Sequence, residues 1–314
     1  MNQAVLTDEA INAYLAEPIF HPTFTEALEH IDKTYRRFGR RPASCYVIGD
    51  SGVGKSTLAI TAKNEILAQT EPSTDATIIP VVMVVLEDGA LPDEVRKDIL
   101  EALGVDASGY TGRKLKKLLE KQLIVCGVRL ILIDEFQHLL RKNDKDVNRN
   151  ACNFIKRLID NTQIPVVMFG VPEGKKLFQL HNEMRTRFTT ACELLPMSCD
   201  DKPSLEYFTT YLADLMRRFP LKTVDLSEDE NPLRVMLATG GNLRTLEFLL
   251  SDVLAEHRES STKLTLKDYQ NVYKFTRQDE LVTKRGRVIK PFKDHIDVVK
   301  KDLADYEKLE FKNG

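Results

Sequence analysis

The chain has 314 residues, enough for about two domains or for one large α/β domain with an appendage. Its 45 Lys and Arg residues nearly balance its 47 Asp and Glu residues, and the net charge of −2 excludes a polybasic coating protein and an acidic disordered tail. A hydrophobic content of 42% excludes intrinsic disorder, while a local basic face could still bind nucleic acid.

The apolar and N-terminal segments indicate where the protein resides. The longest apolar stretch, residues 78–86, contains Pro80 and is far shorter than the roughly 20 residues of a membrane helix. The first twenty residues contain three acids and no Lys or Arg, so they lack the basic and apolar regions of a secretory signal. We therefore expect a cytoplasmic protein without a membrane partner. The five cysteines form no CxxC pair, which favours buried thiols over a metal site.

Apolar runs alternate with amphipathic segments over the first two thirds of the chain, a pattern typical of a parallel sheet covered by helices. The predicted strands lack polar alternation because both faces of such a sheet are buried. They cover residues 44–49, 78–86, 129–133, 164–169 and 192–197. The predicted helices between them cover residues 55–68, 93–103, 111–125 and 151–161. After residue 200 only helices are predicted, over residues 202–218, 232–239, 243–257 and 266–275.

The strongest chemical signal is a glycine-rich segment between the first predicted strand and a helix. It fits the pattern GxxxxGK[ST] in the context that this motif requires. Its residues are Gly49, Asp50, Ser51, Gly52, Val53, Gly54, Lys55 and Ser56. The glycines let backbone N–H groups surround a polyphosphate, Lys55 adds positive charge at the β- and γ-phosphates, and Ser56 can ligate Mg²⁺. The segment predicts a P-loop for ATP and Mg²⁺, with Thr57 as a weaker contact near the α-phosphate.

Two acids follow directly after the third predicted strand. Beside a P-loop, Asp134 would hold the hydration shell of Mg²⁺, and Glu135 would polarise the water that attacks the γ-phosphate. The alternative is a strand that simply ends in solvated acids. Two carboxylates in tandem favour the ATPase branch of P-loop proteins over small-molecule kinases.

Two arginine sites complete the pattern. Between the fourth and fifth predicted strands, Arg187 or Arg185 could reach the γ-phosphate of a neighbouring subunit as an arginine finger, and a surface salt bridge is the alternative. Further on, Gly241 and Asn242 can cap the next helix. Arg244, one turn into that helix, could contact the phosphates from the helical region, and an ordinary exposed helix arginine is the alternative.

The order of these features resembles that of AAA+ ATPases over about residues 25–275. A narrower resemblance, to the TniB/TnsC transposition regulators, rests on the runs DEFQHL at 134–139, FGVPE at 169–173 and RF at 187–188. It implies a P-loop NTPase (AAA+) fold: a five-stranded parallel sheet flanked by helices, followed by a small α-helical lid. The predicted organisation is an N-terminal helical segment (1–43), a nucleotide-binding α/β core (44–200), a helical lid (201–282) and an exposed charged tail (283–314).

The resemblance also implies a function. Members of that family assemble on DNA in an ATP-dependent way, connect a TniQ-type target-selection protein to a DDE transposase, and use hydrolysis to disassemble or to reject sites. We therefore expect a ring or helical homo-oligomer on duplex DNA, without sequence preference. One feature departs from the AAA+ pattern, because the fourth strand ends in Phe169-Gly170 where many AAA+ proteins place a polar sensor-1 side chain. The departure predicts slow hydrolysis, which suits a switch.

A basic row is the candidate DNA contact. Residues 113–121 contain five basic residues and one acid in a predicted helix with inward leucines, and such a row can follow phosphates without reading bases. A solvated outer face is the alternative. The resembled family contacts DNA in its central pore through this part of the fold. The candidates for DNA contact are Lys97, Thr111, Arg113, Lys114 and Lys117.

Two other functions stay open. A helicase loader or replication initiator belongs to the same ATPase class, and winged-helix sequence after the lid would favour an initiator. A signalling scaffold would bind nucleotide and protein but not DNA. DNA-stimulated ATPase activity discriminates between a DNA-bound ATPase and such a scaffold.

Overall fold

The computed structural model describes residues 5–40, 43–70, 78–141, 144–180, 182–276, 279–306 and 310–313. The α-helices are α1 Asp8–Ala16, α2 Pro22–Tyr35, α3 Lys55–Ala68, α4 Pro92–Ala102, α5 Gly112–Val125, α6 Lys145–Thr162, α7 Lys175–Leu180, α8 Asn182–Arg185, α9 Lys202–Arg218, α10 Asn231–Thr239, α11 Leu243–Glu256, α12 Leu266–Thr276 and α13 Ile296–Ala304. The strands are β1 Ser44–Ile48, β2 Val81–Val85, β3 Leu130–Asp134, β4 Val166–Gly170, β5 Phe188–Glu193, β6 Asp279–Val282 and β7 Glu310–Asn313. Two 3₁₀ helices cover Phe136–Leu139 and Pro172–Gly174. The described residues form two compact units, one within Pro22–Leu195 and one within Met1–His21 and Pro196–Gly314.

The larger unit is built on a five-stranded parallel sheet with the order β2-β3-β4-β1-β5. The register pairs Ile48 with Gly170 and Val85 with Asp134, so the carboxyl ends of the strands lie along one edge. Ligands of open α/β sheets bind outside this edge, where the strand order reverses. The fold therefore brings the segments that follow β1, β3 and β4 to the same place.

Helices cover both faces of the sheet. Along β3, Ile131 and Ile133 pack into a core with α4, α5 and α6, while Leu130 and Leu132 pack into a second core with α2 and α3. Every residue of β3 and β4 is buried. Burial on both faces explains the uninterrupted apolar runs of these strands, and the predicted α/β class with a five-stranded parallel sheet is confirmed.

The sequence placed the first four strands within about three residues of their ends, but it misplaced the fifth. Residues 192–197 were predicted, whereas β5 is Phe188–Glu193. In this edge strand exposed positions alternate with buried or half-buried ones, and two β-branched threonines suit it. The Leu194 N–H still donates to the Ile48 carbonyl at 2.8 Å, but the chain then leaves the sheet, where Leu195 is 60% exposed and Pro196 has no N–H to donate.

The smaller unit contains α1, α9 to α13 and the antiparallel pair β6–β7. The second segment of this unit begins at Pro196, whereas the lid was predicted to begin at 201, and the predicted N-terminal segment 1–43 is divided between the two units after His21. The structure differs from the prediction of an exposed charged tail at 283–314. Ile289, Phe292 and Val299 are at most 3% exposed and pack into the cores of this unit, while residues 307–309 and 314 lie outside the described part.

One arginine of this C-terminal stretch pairs with two acids. Arg287 donates to both carboxylate oxygens of Asp302 and also contacts Asp294 at 3.1 Å.

All five cysteines are free thiols, and burial raises the pKa of Cys45 to about 12. Among the described residues, none of the helices is both long and apolar enough to cross a membrane.

Candidate functional site

The glycine-rich segment forms a tight loop between β1 and α3. Gly54 precedes α3 with a φ of 95°, a left-handed conformation that favours glycine. Lys55, the first residue of α3, is 6% exposed, and its Nζ donates to the carbonyl oxygens of Gly49 at 2.8 Å and Asp50 at 2.7 Å. The loop therefore holds a buried ammonium group beside the amino end of a 14-residue helix, two features that favour an anion.

The other loop residues take different positions. Val53 is buried at 1% exposure and anchors the loop in the core of α2 and α3. Asp50, Ser51 and Thr57 are exposed, while Gly52 and Ser56 are half-buried. The segment thus combines a buried apolar anchor and a buried lysine with exposed polar residues.

The P-loop and the first acid of β3 are joined directly. Ser56 Oγ donates to Asp134 Oδ2 at 2.7 Å, although the two residues are 78 positions apart in the chain. Asp134 is 1% exposed, and its burial raises the pKa of the carboxyl group, whereas the hydrogen bonds from Ser56 and the Glu135 N–H and the charge of Lys55 lower it. A hydroxyl and a carboxylate oxygen at one point form a donor set that suits Mg²⁺, which prefers oxygen ligands.

The second acid sits in a sharp turn after β3. Glu135 has a φ of 57°, rare for a residue with a side chain, and the 3₁₀ helix Phe136–Leu139 follows directly. Gln137 Nε2 donates to Glu135 Oε2, and Gln137 Oε1 accepts from the Val171 N–H at 3.2 Å. Gln137 lies in the run DEFQHL but was not predicted as a site residue. A polar residue two positions after the acid pair was the available signal, but its contact with Val171, the residue after β4, depends on the strand order.

The candidate arginine finger makes an ion pair within its own chain. Arg187 Nε donates to Asp160 Oδ1 at 2.9 Å, and a terminal nitrogen of Arg187 donates to Asp160 Oδ2 at 2.7 Å. This two-pronged pair joins the residue before β5 to the last turn of α6, and the Arg187 side chain is 22% exposed. Arg185, at the end of α8, is exposed. In the single chain Arg187 therefore forms the salt bridge that was the alternative to a finger. That Arg187 reaches into a neighbouring subunit stays a prediction.

The second arginine lies in the smaller unit. Asn242 Oδ1 accepts from the Thr245 N–H at 3.2 Å, so Asn242 caps α11 as predicted. Arg244 is exposed in the first turn of α11. Its contact with the phosphates stays a prediction.

The basic row lies on the outer face of α5. Leu115, Leu119 and Leu123 are at most 1% exposed, and the opposite face presents the charges. The exposed members of the row are Arg113, Lys114, Lys117 and Lys121, while Lys116 is half-buried and lies 3.6 Å from Glu120. Thr111 at the start of α5 and Lys97 on α4 are also exposed. All the predicted DNA contacts are therefore accessible on the surface of the larger unit.

A comparison with protein families decides the relationship of the chain, because the family model described as bacterial TniB protein matches residues 13–195. The chain belongs to the TniB family. The matched residues of this TniB-family chain include the P-loop, Asp134, Glu135 and Arg187, whereas Arg244 lies outside them. A search of the curated proteins found no match.

Solved structures share the fold of this family member. The Aeropyrum pernix ORC1 protein in complex with DNA is similar with a TM-score of 0.61 and 14% identity, over 87% of this chain and 69% of that chain. The Aeropyrum pernix ORC2 protein in its ADPNP-ADP complexes has a TM-score of 0.63 and 14% identity, over 87% and 73%. Cdc6p from Pyrobaculum aerophilum has a TM-score of 0.56 and 12% identity, over 97% and 100%. At such identities the likeness shows the fold alone, and that fold is the AAA+ P-loop ATPase fold.

Proposed function

We propose that this TniB-family chain is an ATP-dependent, DNA-binding AAA+ regulator of transposition. The hydrogen bond between Ser56 and Asp134 carries the proposal, because it joins a P-loop to an acid on another strand in a chain of the TniB family. In the proposed assembly, copies of the chain oligomerise on duplex DNA and link a TniQ-type target-selection protein to a DDE transposase. Slow ATP hydrolysis then acts as the disassembly switch.

The loop residues support nucleotide binding. When ATP binds, Lys55 Nζ exchanges its carbonyl partners for oxygens of the β- and γ-phosphates, and the backbone of 49–54 surrounds the phosphates. Thr57 lies one position after Ser56 and contacts the α-phosphate. Ser56 and Asp134 are the residues that would hold Mg²⁺, which neutralises phosphate charge.

Hydrolysis requires a base and a charge that stabilises the transition state. Glu135 accepts the proton of the attacking water. Arg187 leaves Asp160 and reaches the γ-phosphate of the adjacent subunit, and Arg244 contributes from the lid. This exchange must break a bidentate ion pair in which the side chain of Arg187 is 22% exposed and that of Asp160 is 42% exposed.

The basic face of α5 supports DNA binding. Arg113, Lys117 and Lys121 recur every four residues, so they lie one above another at intervals of about 6 Å along the helix. A stripe of this kind neutralises phosphates without reading base edges. An oligomer repeats the stripe once per subunit along the duplex.

The proposal is tested by the Lys55→Ala variant, with Lys63→Ala on the same helix as the matched control. Lys55→Ala should lose ATP binding and ATP-dependent assembly on duplex DNA, while circular dichroism and the Lys63→Ala variant stay at the wild-type level. Assembly is followed by imaging the protein with duplex DNA and a non-hydrolysable ATP analogue. Near-wild-type ATP affinity in Lys55→Ala contradicts the P-loop assignment.

A helicase loader or replication initiator is the second candidate, favoured by the similarity to the ORC and Cdc6 structures. The protein that the chain retains on DNA discriminates between these two functions. A regulator of transposition should retain a TniQ-type protein and a transposase on DNA in the presence of ATP, whereas a loader should retain a replicative helicase. DNA that fails to stimulate the ATPase would favour a scaffold that does not bind DNA.

A further inference from the structure

Gln137 bridges the catalytic acid and the neighbouring strand. Its Nε2 donates to Glu135 Oε2, and its Oε1 accepts from the Val171 N–H at 3.2 Å. A carboxylate can only accept and a backbone N–H can only donate, so the two partners together determine the orientation of the amide. No other arrangement of the amide satisfies both.

The glycine at the end of β4 leaves room for this amide. A Cβ atom on Gly170 would lie 2.5 Å from Gln137 Oε1 and 2.7 Å from the ring of Phe136, closer than packed atoms approach. Phe136 is fully buried, so moving its ring aside would disturb the packing of the core. The residue without a side chain at the end of β4 therefore leaves the space that Gln137 fills from the turn after β3.

The backbone of Glu135 is held in an uncommon conformation. Its φ of 57° and ψ of 38° cost about 1 kcal/mol or more for a residue with a Cβ. Two hydrogen bonds hold the turn: the Glu135 N–H donates to Asp134 Oδ1 at 2.8 Å, and the Glu135 carbonyl accepts from the His138 N–H at 2.9 Å. This turn aims the Glu135 carboxylate at Gln137.

We propose that Gln137 is the positioning residue that orients Glu135 for hydrolysis, an inference that rests on the proposed ATPase function. By donating to Oε2, Gln137 fixes the carboxylate and leaves Oε1 to accept a proton from water. The water oxygen then bonds to the γ-phosphorus as the bond to the leaving ADP oxygen breaks. In this chain the side chain that orients the catalytic acid comes from the turn after β3 and occupies the space beside the glycine that ends β4.

A purely structural link would behave differently from a positioning residue. Removing a structural link between the turn and β4 would lower the thermal stability and the ATP affinity together. Removing a positioning residue should lower kcat and leave the ATP affinity unchanged, because the phosphates are held by the P-loop. Comparing the loss of kcat with the loss of ATP affinity therefore distinguishes a positioning residue from a structural link.

The experiment uses the full chain with duplex DNA and compares Gln137→Met, Gln137→Glu and the control Gln69→Met, an exposed residue at the end of α3. Gln137→Met should lower kcat about 10-fold or more, in line with misplacement of a catalytic group, and keep the ATP affinity within about twofold. Gln137→Glu keeps the shape but faces Glu135 with a second carboxylate. That carboxylate has no N–H to donate to Glu135 Oε2, so kcat should fall as in Gln137→Met while the ATP affinity stays within about twofold.

The results that would overturn this inference differ from those that would overturn the proposed function. If Glu135→Gln is slow while both Gln137 variants match the wild type in kcat, the inference fails and the function stands. A drop in kcat matched by an equal drop in ATP affinity in both Gln137 variants also overturns it. If the wild type and Glu135→Gln turn over ATP equally, the proposed role of Glu135 fails and the inference falls with it.

Discussion

At the residue scale, the site places two neighbouring acids in different surroundings. Asp134 is buried, and its pKa is raised by that burial against the opposing effect of the Ser56 and Glu135 N–H donors. Glu135 is half-buried and takes its hydrogen bond from an amide side chain. Asp134 is thus fixed beside the P-loop, as the proposed metal ligand should be, and Glu135 keeps access to water, as the proposed base should.

Glu135→Gln separates these two roles. The substitution keeps the shape of the side chain and removes the base, so ATP binding should persist while hydrolysis falls by about 10²-fold or more. DNA-bound assemblies should also persist longer, since hydrolysis is the proposed disassembly step. The measurements are steady-state phosphate release, nucleotide affinity and the lifetime of assemblies on DNA, with the exposed Glu65→Gln on α3 as control. Normal turnover in Glu135→Gln would assign the base to another residue.

At the element scale, the end of α6 and the start of β5 set the surroundings of Arg187, the proposed arginine finger. Asp160 holds Arg187 through two hydrogen bonds, and the next residue, Asn161, donates from Nδ2 to Glu120 Oε1 on α5 at 2.6 Å. The helix that pairs with Arg187 is therefore also bonded to the helix with the basic row.

Mixed assemblies test whether Arg187 acts between subunits. Arg187→Ala should bind nucleotide as a monomer but lose assembly-dependent hydrolysis. Mixing it with Lys55→Ala should restore some activity, because one interface then pairs an intact P-loop with an intact finger. The rate of phosphate release is measured across mixing ratios.

Arg185→Ala is the matched control, since Arg185 lies two positions earlier and is exposed. It should hydrolyse ATP at the wild-type rate. An unchanged rate in Arg187→Ala, or no recovery at any mixing ratio, contradicts action between subunits. Loss of activity in Arg185→Ala alone would identify Arg185 as the finger.

The elements differ in how far the sequence could predict them. Buried strands such as β3 were predictable because both faces are covered, and the P-loop was predictable because its chemistry lies in eight consecutive residues. The edge strand β5 was misplaced because an apolar run after it carried the stronger signal. The contact between Gln137 and Val171 could not be predicted from the sequence, since it depends on β3 and β4 being neighbours.

At the scale of the whole molecule, acid sensitivity should come from a buried histidine of the smaller unit. His21 is 4% exposed, its ring lies edge-on to Tyr207 at 6.4 Å, and burial lowers its pKa to about 4. In the unfolded chain the pKa is about 6.5, so protonation favours unfolding as the pH falls. This contribution to stability is fully present above about pH 6.5 and is lost as the pH falls towards 4.

The His21→Phe variant keeps a ring and removes the titration. Between pH 6.5 and 4 the wild type should lose up to about 3 kcal/mol of unfolding free energy more than the variant. Urea unfolding at a series of pH values measures the difference, with His30→Phe in the larger unit as control. Equal acid sensitivity in the wild type and His21→Phe contradicts the prediction.

The distribution of charge is the second property to consider at the scale of the whole molecule. The net charge of −2 gives no general attraction to DNA, so any affinity must come from a local surface such as the outer face of α5. Basic residues also lie on and just after α2, but there Lys33 pairs with Glu29 and Arg36 pairs with Asp32. The region of α2 therefore provides a control with equal charge and a different location.

Replacing Arg113, Lys114 and Lys117 together with Gln should weaken ATP-dependent binding equally on unrelated duplexes, because phosphate neutralisation carries no sequence information. The plot of log affinity against log salt should flatten by about 0.9 for each phosphate that the variant no longer neutralises. An oligomer repeats the change in every subunit, so a modest effect per chain becomes a large one for the assembly. The control, with the Lys33, Arg36 and Arg37 charges of the α2 region replaced by Gln, removes the same charge and should keep the wild-type slope, and the basal ATPase without DNA should survive in both. An unchanged affinity and slope in the α5 variant would move the DNA-binding face to the basic stretch of 284–293.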